Sequence, residues 1–215
     1  MKEVLIKEYN NLKNLRIVPK EDDFLYNIHF VNGAFCEIRG AEDTEFRIEF
    51  IDKKTNKHLH FHDISNNMWT RTNAKYFIDY LIKIKNKDTD EVIHECEYNA
   101  KGKRVMICFD SKAIGDTLAW FPYVEEFRKK HQCEVIVSTF HNEWFKDNYP
   151  DLEFVEPGDT AYNLYARYDV GWYYNEADYE ESNTINLDQV PTDFRKGPLG
   201  KTCSDVLGLD YKEIK

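Results

Sequence analysis

Short segments of alternating apolar and polar residues fill the first half of the chain. The pattern is clear at 45–51, where apolar residues recur at every second position. Such alternation is typical of antiparallel strands with one buried face. Asn32 and Gly33 lie between two of these segments and predict a type I′ hairpin, because both central residues of that turn need φ > 0. The predicted strands lie at 27–31, 34–39, 45–51, 59–62, 76–85 and 91–98.

After a polar linker at 99–103, the pattern changes to apolar strands that alternate with helices. A continuous apolar segment at 104–109 predicts a buried strand, and apolar residues near helical spacing predict a helix at 117–131. Strand and helix in alternation are typical of a parallel, Rossmann-like sheet. The other predicted elements are strands at 134–138, 153–155 and 168–172, a short helix at 142–148, and a helix at 199–206 that stops at Gly208.

The length and charge of the chain limit the number of domains and the classes of partner that it can have. A chain of 215 residues can bury one large core or two small ones, and the change of periodicity favours two. We therefore predict an α+β protein, with an antiparallel β domain at 1–100 and a Rossmann-like α/β domain at 101–215. The formal net charge of −10 argues against nucleic-acid binding, which needs clustered Lys and Arg.

The sequence also indicates a cellular compartment. No apolar run approaches the roughly 18 residues of a membrane-spanning helix, and the N-terminus lacks the apolar core of a secretory leader. The five cysteines form no CxxC pair, and an odd number of cysteines is typical of reduced thiols. We therefore expect a cytoplasmic protein that does not bind membranes.

The loop between the strand at 104–109 and the following helix is the strongest candidate site. Ligands of parallel sheets bind beyond the carboxyl ends of the strands, where a helix N-terminus offers unpaired N–H groups. Asp116 lies at that point and is the first candidate site residue. The candidate substrate-binding residues occupy the same loop or follow the next strand: Ser111, Lys112, Gly115, Thr117, Thr139 and His141.

Asp116 and Gly115 each have a structural alternative. An Asp in the first turn of a helix can act only as a cap, accepting backbone N–H bonds and interacting with the helix dipole. Gly115 can take φ > 0 and let a ligand approach the backbone, or it can simply allow a tight turn between strand and helix. The spacing of the residues leaves both alternatives open.

Three alternating histidines, His58, His60 and His62, project from one face of a predicted strand. Alternating histidines can bind a transition metal. A strand pair usually needs a further ligand from the neighbouring strand, and exposed histidines are common, so we assign no metal site.

The segment that runs from Ser111 through Gly115 and Asp116 to His131 also carries a specific resemblance. Further similar segments lie at 138–142, 154–158, 163–166, 171–172 and 198–209. Together they resemble the autotransporter strand-loop-strand O-heptosyltransferases, which are relatives of the lipopolysaccharide heptosyltransferases. The resemblance covers the second half of the chain well and the first hundred residues more loosely.

This resemblance implies the N-terminal half of a GT-B glycosyltransferase, with the nucleotide-binding half outside the 215 residues. It implies transfer of a heptose from ADP-heptose to Ser or Thr hydroxyls of an acceptor protein with an autotransporter-like β-helix, with inversion at the anomeric carbon. In the family pattern the Asp of the Gly-Asp pair is the general base, which assigns that role to Asp116. Related heptosyltransferases carry an iron-binding cysteine cluster in their C-terminal half, which the cysteines of this chain do not reproduce. We therefore expect no cofactor in this chain, and we expect a homo-oligomer.

Two other functions compete with this interpretation. The β-rich first half could bind an acceptor or mediate assembly in a protein without enzymatic activity. A different enzyme that modifies nucleotide sugars is disfavoured, because no GxGxxG motif follows the strand that begins near Val105.

Overall fold

The computed structural model describes residues 25–40, 44–175 and 184–213. These residues divide into two units. The first contains the described residues up to Asn73 together with Ile78–Asn99, and the second contains Ala74–Phe77 together with those from Ala100 onward. The division of the chain into domains at 1–100 and 101–215 stays a prediction. In the structure, the segment Ala74–Phe77 belongs to the second unit although it lies before residue 100 in sequence.

The first unit is built from antiparallel strands, as the period-two alternation predicts. Its strands are β1 (Leu25–Val31), β2 (Phe35–Arg39), β3 (Glu45–Asp52), β4 (Lys57–Ser65), β5 (Met68–Arg71), β6 (Tyr80–Asn86) and β7 (Val92–Glu97). They pair in the orders β1-β2-β5 and β4-β3-β6-β7. Apolar side chains at alternate positions of β3 and β6 are fully buried. Asn32 and Gly33 have φ values of 59° and 102°, which confirms the predicted turn.

Two features of the first unit differ from the prediction. The strand predicted at 76–85 begins only at Tyr80, because Phe77 makes other contacts. Its backbone N–H donates to the carbonyl of Val206 at 2.8 Å, and its ring packs against Phe127. Strand β5 was not predicted, since four residues are too few to show a period and its partner β2 is distant in sequence.

The second unit contains the predicted parallel strands. They are β8 (Arg104–Phe109), β9 (Glu134–Ser138), β10 (Leu152–Phe154) and β11 (Leu164–Val170), and the order is β10-β9-β8-β11. Two helices belong to this unit, α1 (Ile114–His131) and α2 (Leu199–Val206). Strand β8 lies between β9 and β11 and is largely buried, so its sequence is a continuous apolar segment and does not alternate with polar residues. The carboxyl ends of the four strands therefore lie at one edge of this parallel sheet.

Four elements of the second unit differ from the prediction in their bounds, and the smallest difference is at the strand predicted at 153–155, which is β10 at Leu152–Phe154. Helix α1 begins at Ile114 rather than residue 117, so Asp116 lies inside its first turn. The helix predicted at 142–148 is reduced to a 3-10 turn at Asn142–Trp144, because the Asn142 side chain bonds the Val155 carbonyl and the Thr139 N–H. The strand predicted at 168–172 is β11 and ends at Val170. Helix α2 has the predicted bounds, and Gly208 follows it with φ 61°.

The last residue of α1, His131, should make stability depend on pH. Its ring centroid lies 4.3 Å from that of Phe127, and burial, followed by the charge of Lys130, lowers its pKa from 6.5 to about 4. Between these pH values the unfolded chain binds more protons than the folded chain, so stability should fall as the pH decreases from 6.5 to 4. We expect a loss of about 1–2 kcal/mol, a value reduced for the part of the ring that water screens. Urea unfolding at pH 7 and pH 4.5 measures the loss, and it should shrink in His131→Phe; an equal loss in both proteins would contradict the assignment.

Candidate functional site

The candidate residues lie at the carboxyl edge of the parallel strands, as the sequence predicts for Asp116. The loop at 110–113 follows β8, the loop at 139–142 follows β9, and Trp172 follows β11. These strands are neighbours in the order β9-β8-β11. Three segments that are far apart in sequence therefore meet at one edge.

Asp116 is held by two side-chain donors. The residue is 7% exposed, and its Oδ2 accepts hydrogen bonds from Ser111 Oγ at 2.6 Å and from Trp172 Nε1 at 2.7 Å. The Ser111 hydroxyl also accepts a bond from the Ala113 N–H at 3.1 Å, so its own hydrogen is directed at Asp116. Within the described residues, Oδ1 of Asp116 has no hydrogen-bond partner, and it is not among the fully buried side-chain atoms that lack one. Oδ1 is therefore the carboxylate oxygen that has no hydrogen bond from the described residues.

This arrangement argues against a simple capping role for Asp116. The residue before helix α1 is Ala113, and no side chain caps that end. The carboxylate of Asp116 accepts from two side chains and not from the backbone of the first turn. The favourable interaction of a negative charge with the helix dipole persists, but the hydrogen bonds that would define a cap are absent at this helix end.

The loops after β8 and β9 are joined by His141. Its Nε2 lies 3.1 Å from the carbonyl oxygen of Lys112, a contact in which the imidazole donates, and its ring stacks on Trp144 with centroids 4.3 Å apart. The amine of Lys112 lies 5.2 Å from the centre of the Phe140 ring. Lys112 is exposed, so its amine is open to a ligand. The predicted roles of Lys112 and His141 in binding stay predictions.

The two candidate threonines are buried. Thr117 and Thr139 are both 0% exposed. The Thr117 hydroxyl donates to the Ala113 carbonyl at 3.3 Å, and the Thr139 hydroxyl donates to Asn142 Oδ1 at 3.1 Å. In this conformation both threonines support the loops of the site and are not exposed to a ligand. A direct contact of either hydroxyl with substrate, which the sequence predicts, would need this burial to change.

Gly115 has no left-handed conformation, because it lies within the first turn of α1. The space beside it is open, since a Cβ built at this position meets no atom within 4 Å. Of the two alternatives that the sequence left open, a positive φ at Gly115 is absent, while room for a ligand beside the backbone is present.

Trp172 is the functional contact that the sequence did not identify. Its ring packs against Trp120 and Phe194, with centroid distances of 5.3 Å and 4.9 Å. The rule that selected Asp116 also applies here, because Trp172 lies two residues beyond the carboxyl end of a parallel strand. The side chain to which its N–H donates is 56 residues away in sequence, so only the tertiary structure reveals the bond.

Two other reactive groups near this edge are held in their neutral forms. Burial, and then Asp169, raises the pKa of the Cys108 thiol to about 12. Burial, followed by Asp169 and Asp110, also raises the pKa of the Tyr173 phenol far above its usual range. At neutral pH neither side chain is a nucleophile or a base. Asp116 is the better candidate for a proton acceptor at this site.

The comparison with known proteins agrees with this geometry. No protein-family model matches the chain. The autotransporter heptosyltransferase Aah of Escherichia coli is 30% identical over 172 residues, which cover 79% of this chain and 41% of Aah. This chain is a homologue of the autotransporter heptosyltransferases. It spans about half the length of the curated relatives that it matches.

A solved structure shares the fold. The crystal structure of TibC from enterotoxigenic Escherichia coli H10407, an iron-containing dodecameric glycosyltransferase, matches 92% of this chain and 48% of TibC with a TM-score of 0.73 and 23% identity. TibC has also been solved in complex with ADP-D-beta-D-heptose. A further relative, the inactive autotransporter heptosyltransferase BimC of Burkholderia thailandensis, is 30% identical over 117 residues, 54% of this chain and 27% of BimC.

A cavity of about 390 Å³ lies at the start of helix α2. It is lined by Thr192, Asp193, Phe194, Lys196, Gly197, Pro198, Lys201, Thr202 and Asp205. Phe194 joins it to the candidate site, because the same ring packs against Trp172. Its charged groups are largely paired with one another, as in the Lys201–Asp205 ion pair.

The described residues bring together no donor set for a metal ion. Among them, no three His, Cys, Asp or Glu side chains are grouped so that they could hold one. The rings of His60 and His62 lie 6.0 Å apart on β4, and the five cysteines are all free.

None of the helices within the described ranges combines the length and the apolar character needed to cross a membrane.

Proposed function

We propose that this chain forms the acceptor side of a protein O-heptosyltransferase, which transfers a heptose from ADP-heptose to Ser or Thr hydroxyls of an acceptor protein. The observation that carries this proposal is the Asp116 carboxylate, with one oxygen held by two donors and the other without a hydrogen bond from the described residues. It lies at the helix N-terminus where ligands of parallel sheets bind. The homology to heptosyltransferases supports the choice of reaction.

Asp116 acts in this proposal as the general base. An acceptor hydroxyl donates a hydrogen bond to Oδ1 and attacks the anomeric carbon of the heptose. The new C–O bond forms as the bond to the diphosphate oxygen breaks, ADP leaves with the electron pair, and the hydroxyl proton passes to Oδ1. Attack from the face opposite the leaving group inverts the anomeric carbon. An oxocarbenium-like transition state needs only a weak base, because the proton leaves late.

The open space beside Gly115 is proposed to receive the ligand. Gly115→Ala should leave stability unchanged or raise it by up to about 1 kcal/mol, because alanine is the better helix former and its Cβ meets no atom. Transfer should nevertheless fall by about tenfold or more, since the methyl group would displace the reacting groups. Thermal melting and transfer rates measure the two effects, and an unchanged rate would show that no ligand approaches this backbone.

We propose that the donor nucleotide is bound largely by the portion of the relatives that this chain does not match. In that arrangement, two Rossmann-like domains of a GT-B enzyme face each other, and the present one binds the acceptor. The chain alone should then bind ADP-heptose with a dissociation constant no tighter than about 1 mM, roughly −4 kcal/mol. Calorimetry measures it directly, and micromolar affinity would place the donor site on this chain instead.

The proposal extends to partners and location. The acceptor is proposed to be an autotransporter-like β-helix, and the chain is proposed to associate with copies of itself, in line with the dodecamer described for TibC. The five free cysteines favour a cytoplasmic location. Because the described residues offer no donor set for iron, we assign no step of the reaction to a metal ion.

A transfer assay tests the function. This chain would be joined to the portion of a related heptosyltransferase that the match does not cover, and incubated with ADP-heptose and an autotransporter passenger fragment. Mass spectrometry should then find heptose on Ser or Thr residues of the fragment. A well-folded fusion that binds ADP-heptose but modifies no acceptor would refute the proposal.

A second candidate function is a non-enzymatic module for acceptor binding or assembly. The similarity to BimC, which is named an inactive autotransporter heptosyltransferase, is the observation that favours this second function. In that case the fusion would bind the acceptor fragment without modifying it, and Asp116→Asn would have no effect on binding.

A further inference from the structure

The two donors to Asp116 share one carboxylate oxygen. Ser111 and Trp172 both bond Oδ2, at 2.6 Å and 2.7 Å, while Oδ1 receives no bond from the described residues. We propose that Ser111 and Trp172 are positioning residues, which turn the carboxylate so that Oδ1 faces the acceptor hydroxyl. This inference rests on the proposed function, in which Asp116 accepts the proton.

Each donor is itself held by other groups. The Ser111 hydroxyl accepts from the Ala113 N–H at 3.1 Å, which leaves its single hydrogen to point at Oδ2. The Trp172 ring is packed between Trp120 and Phe194, which sets the direction of its N–H. An indole N–H can only donate, so its partner must be an acceptor. The two donors therefore favour one orientation of Asp116.

The consequence for the carboxylate is geometric. The donors come from the carboxyl ends of two different strands, Ser111 beyond β8 and Trp172 beyond β11. A rotation of the Asp116 side chain that buried Oδ1 or turned it toward the free N–H groups of the helix would break both bonds. The pair thus keeps the proton-accepting oxygen in place, as reactions between oriented groups require.

Kinetics of single variants in the fusion with its nucleotide-binding portion test this inference. Ser111→Ala removes the hydroxyl, and Trp172→Phe removes the N–H while keeping an aromatic ring between Trp120 and Phe194. Each should lower kcat by about tenfold with KM changed less than about twofold, because the lost bonds orient the base and do not bind the acceptor. Ser111→Thr restores the hydroxyl and should recover most of kcat.

Adding Trp172→Phe to the Asp116→Asn variant distinguishes a positioning role of Trp172 from a role that does not depend on Asp116. Once the base is absent, Trp172→Phe should cause no further loss of kcat, whereas an independent role of Trp172 would lower the residual rate again. Trp69→Phe is the matched control, because Trp69 lies on β5, is 54% exposed and packs against Phe35. Its kcat should equal that of the parent protein.

The outcomes distinguish this inference from the proposed function. If Asp116→Asn abolishes transfer while Ser111→Ala and Trp172→Phe keep full kcat, positioning is wrong and the function stands. If Asp116→Asn transfers heptose at the parent rate, the base itself is wrong, and the inference falls with it. If Trp172→Phe melts at a much lower temperature, the two Ser111 variants test the positioning role instead. A reduced kcat in Ser111→Ala that Ser111→Thr restores supports positioning. A full kcat in Ser111→Ala refutes it.

Discussion

Asp116→Asn should lower the rate of heptose transfer by about 10²–10⁴-fold, the usual contribution of a general base. The amide has nearly the shape of the carboxylate, and its oxygen can still accept from Ser111 and Trp172. It cannot accept a proton from the acceptor hydroxyl. The loss in rate corresponds to roughly 3–5 kcal/mol of transition-state stabilisation. The unfolding free energy should change by less than about 1.5 kcal/mol, the range of a single hydrogen bond.

The measurement needs activity and stability in parallel. Transfer would be followed in the fusion by mass spectrometry of the acceptor, and unfolding by thermal melting of the same preparations. Asp110→Asn serves as the matched control, because Asp110 lies in the same loop but interacts with Tyr173 rather than with Asp116. It should transfer at close to the parent rate. An Asp116→Asn protein that folds normally and transfers at the parent rate would contradict the catalytic role.

Trp120→Ala should be the most destabilising single truncation near the site. Trp120 is 0% exposed and packs against Phe109 and Trp172 at centroid distances of 5.5 Å and 5.3 Å. Its Nε1 donates to the carbonyl of Leu199 at 3.0 Å, which links α1 to α2. Removing the ring leaves a cavity and breaks the bond to Leu199, so we expect a loss of about 3–5 kcal/mol in the free energy of unfolding.

Urea unfolding of the chain alone measures this loss. Trp144→Ala provides the control in the same unit, because Trp144 is 45% exposed and packs mainly on His141. It should cost less than about 1 kcal/mol. Equal effects of the two substitutions would show that Trp120 does not hold the helices together.

Local sequence pattern was sufficient for several elements of the fold. The alternation at 45–51 predicted β3, and the continuous apolar segment at 104–109 predicted β8 with its observed bounds. Helix α2 was predicted at its observed bounds, 199–206, because Gly208 takes the left-handed φ that ends the helix. These signals are carried by residues that are close together in sequence, so no knowledge of partners is needed.

The misplaced elements depended on distant partners. Strand β5 exists through its pairing with β2, and the segment around Phe77 leaves the strand pattern because its N–H bonds Val206. The short helix expected after β9 is replaced by a turn, since the Asn142 side chain reaches the Val155 carbonyl. Alternation of apolar residues does not predict such contacts, because it indicates only which face of a strand is buried.

For the site, the sequence by itself determined the edge of the parallel strands and the position of Ser111 and Asp116 between β8 and the body of the following helix. These follow from the order of strand, loop and helix, which is local. Only the tertiary structure decided that Trp172 donates to the same oxygen as Ser111, that Thr117 and Thr139 are buried, and that Oδ1 of Asp116 has no hydrogen bond from the described residues. The direction of a hydrogen bond between residues 56 positions apart depends on the packing of β11 beside β8, which no local pattern encodes.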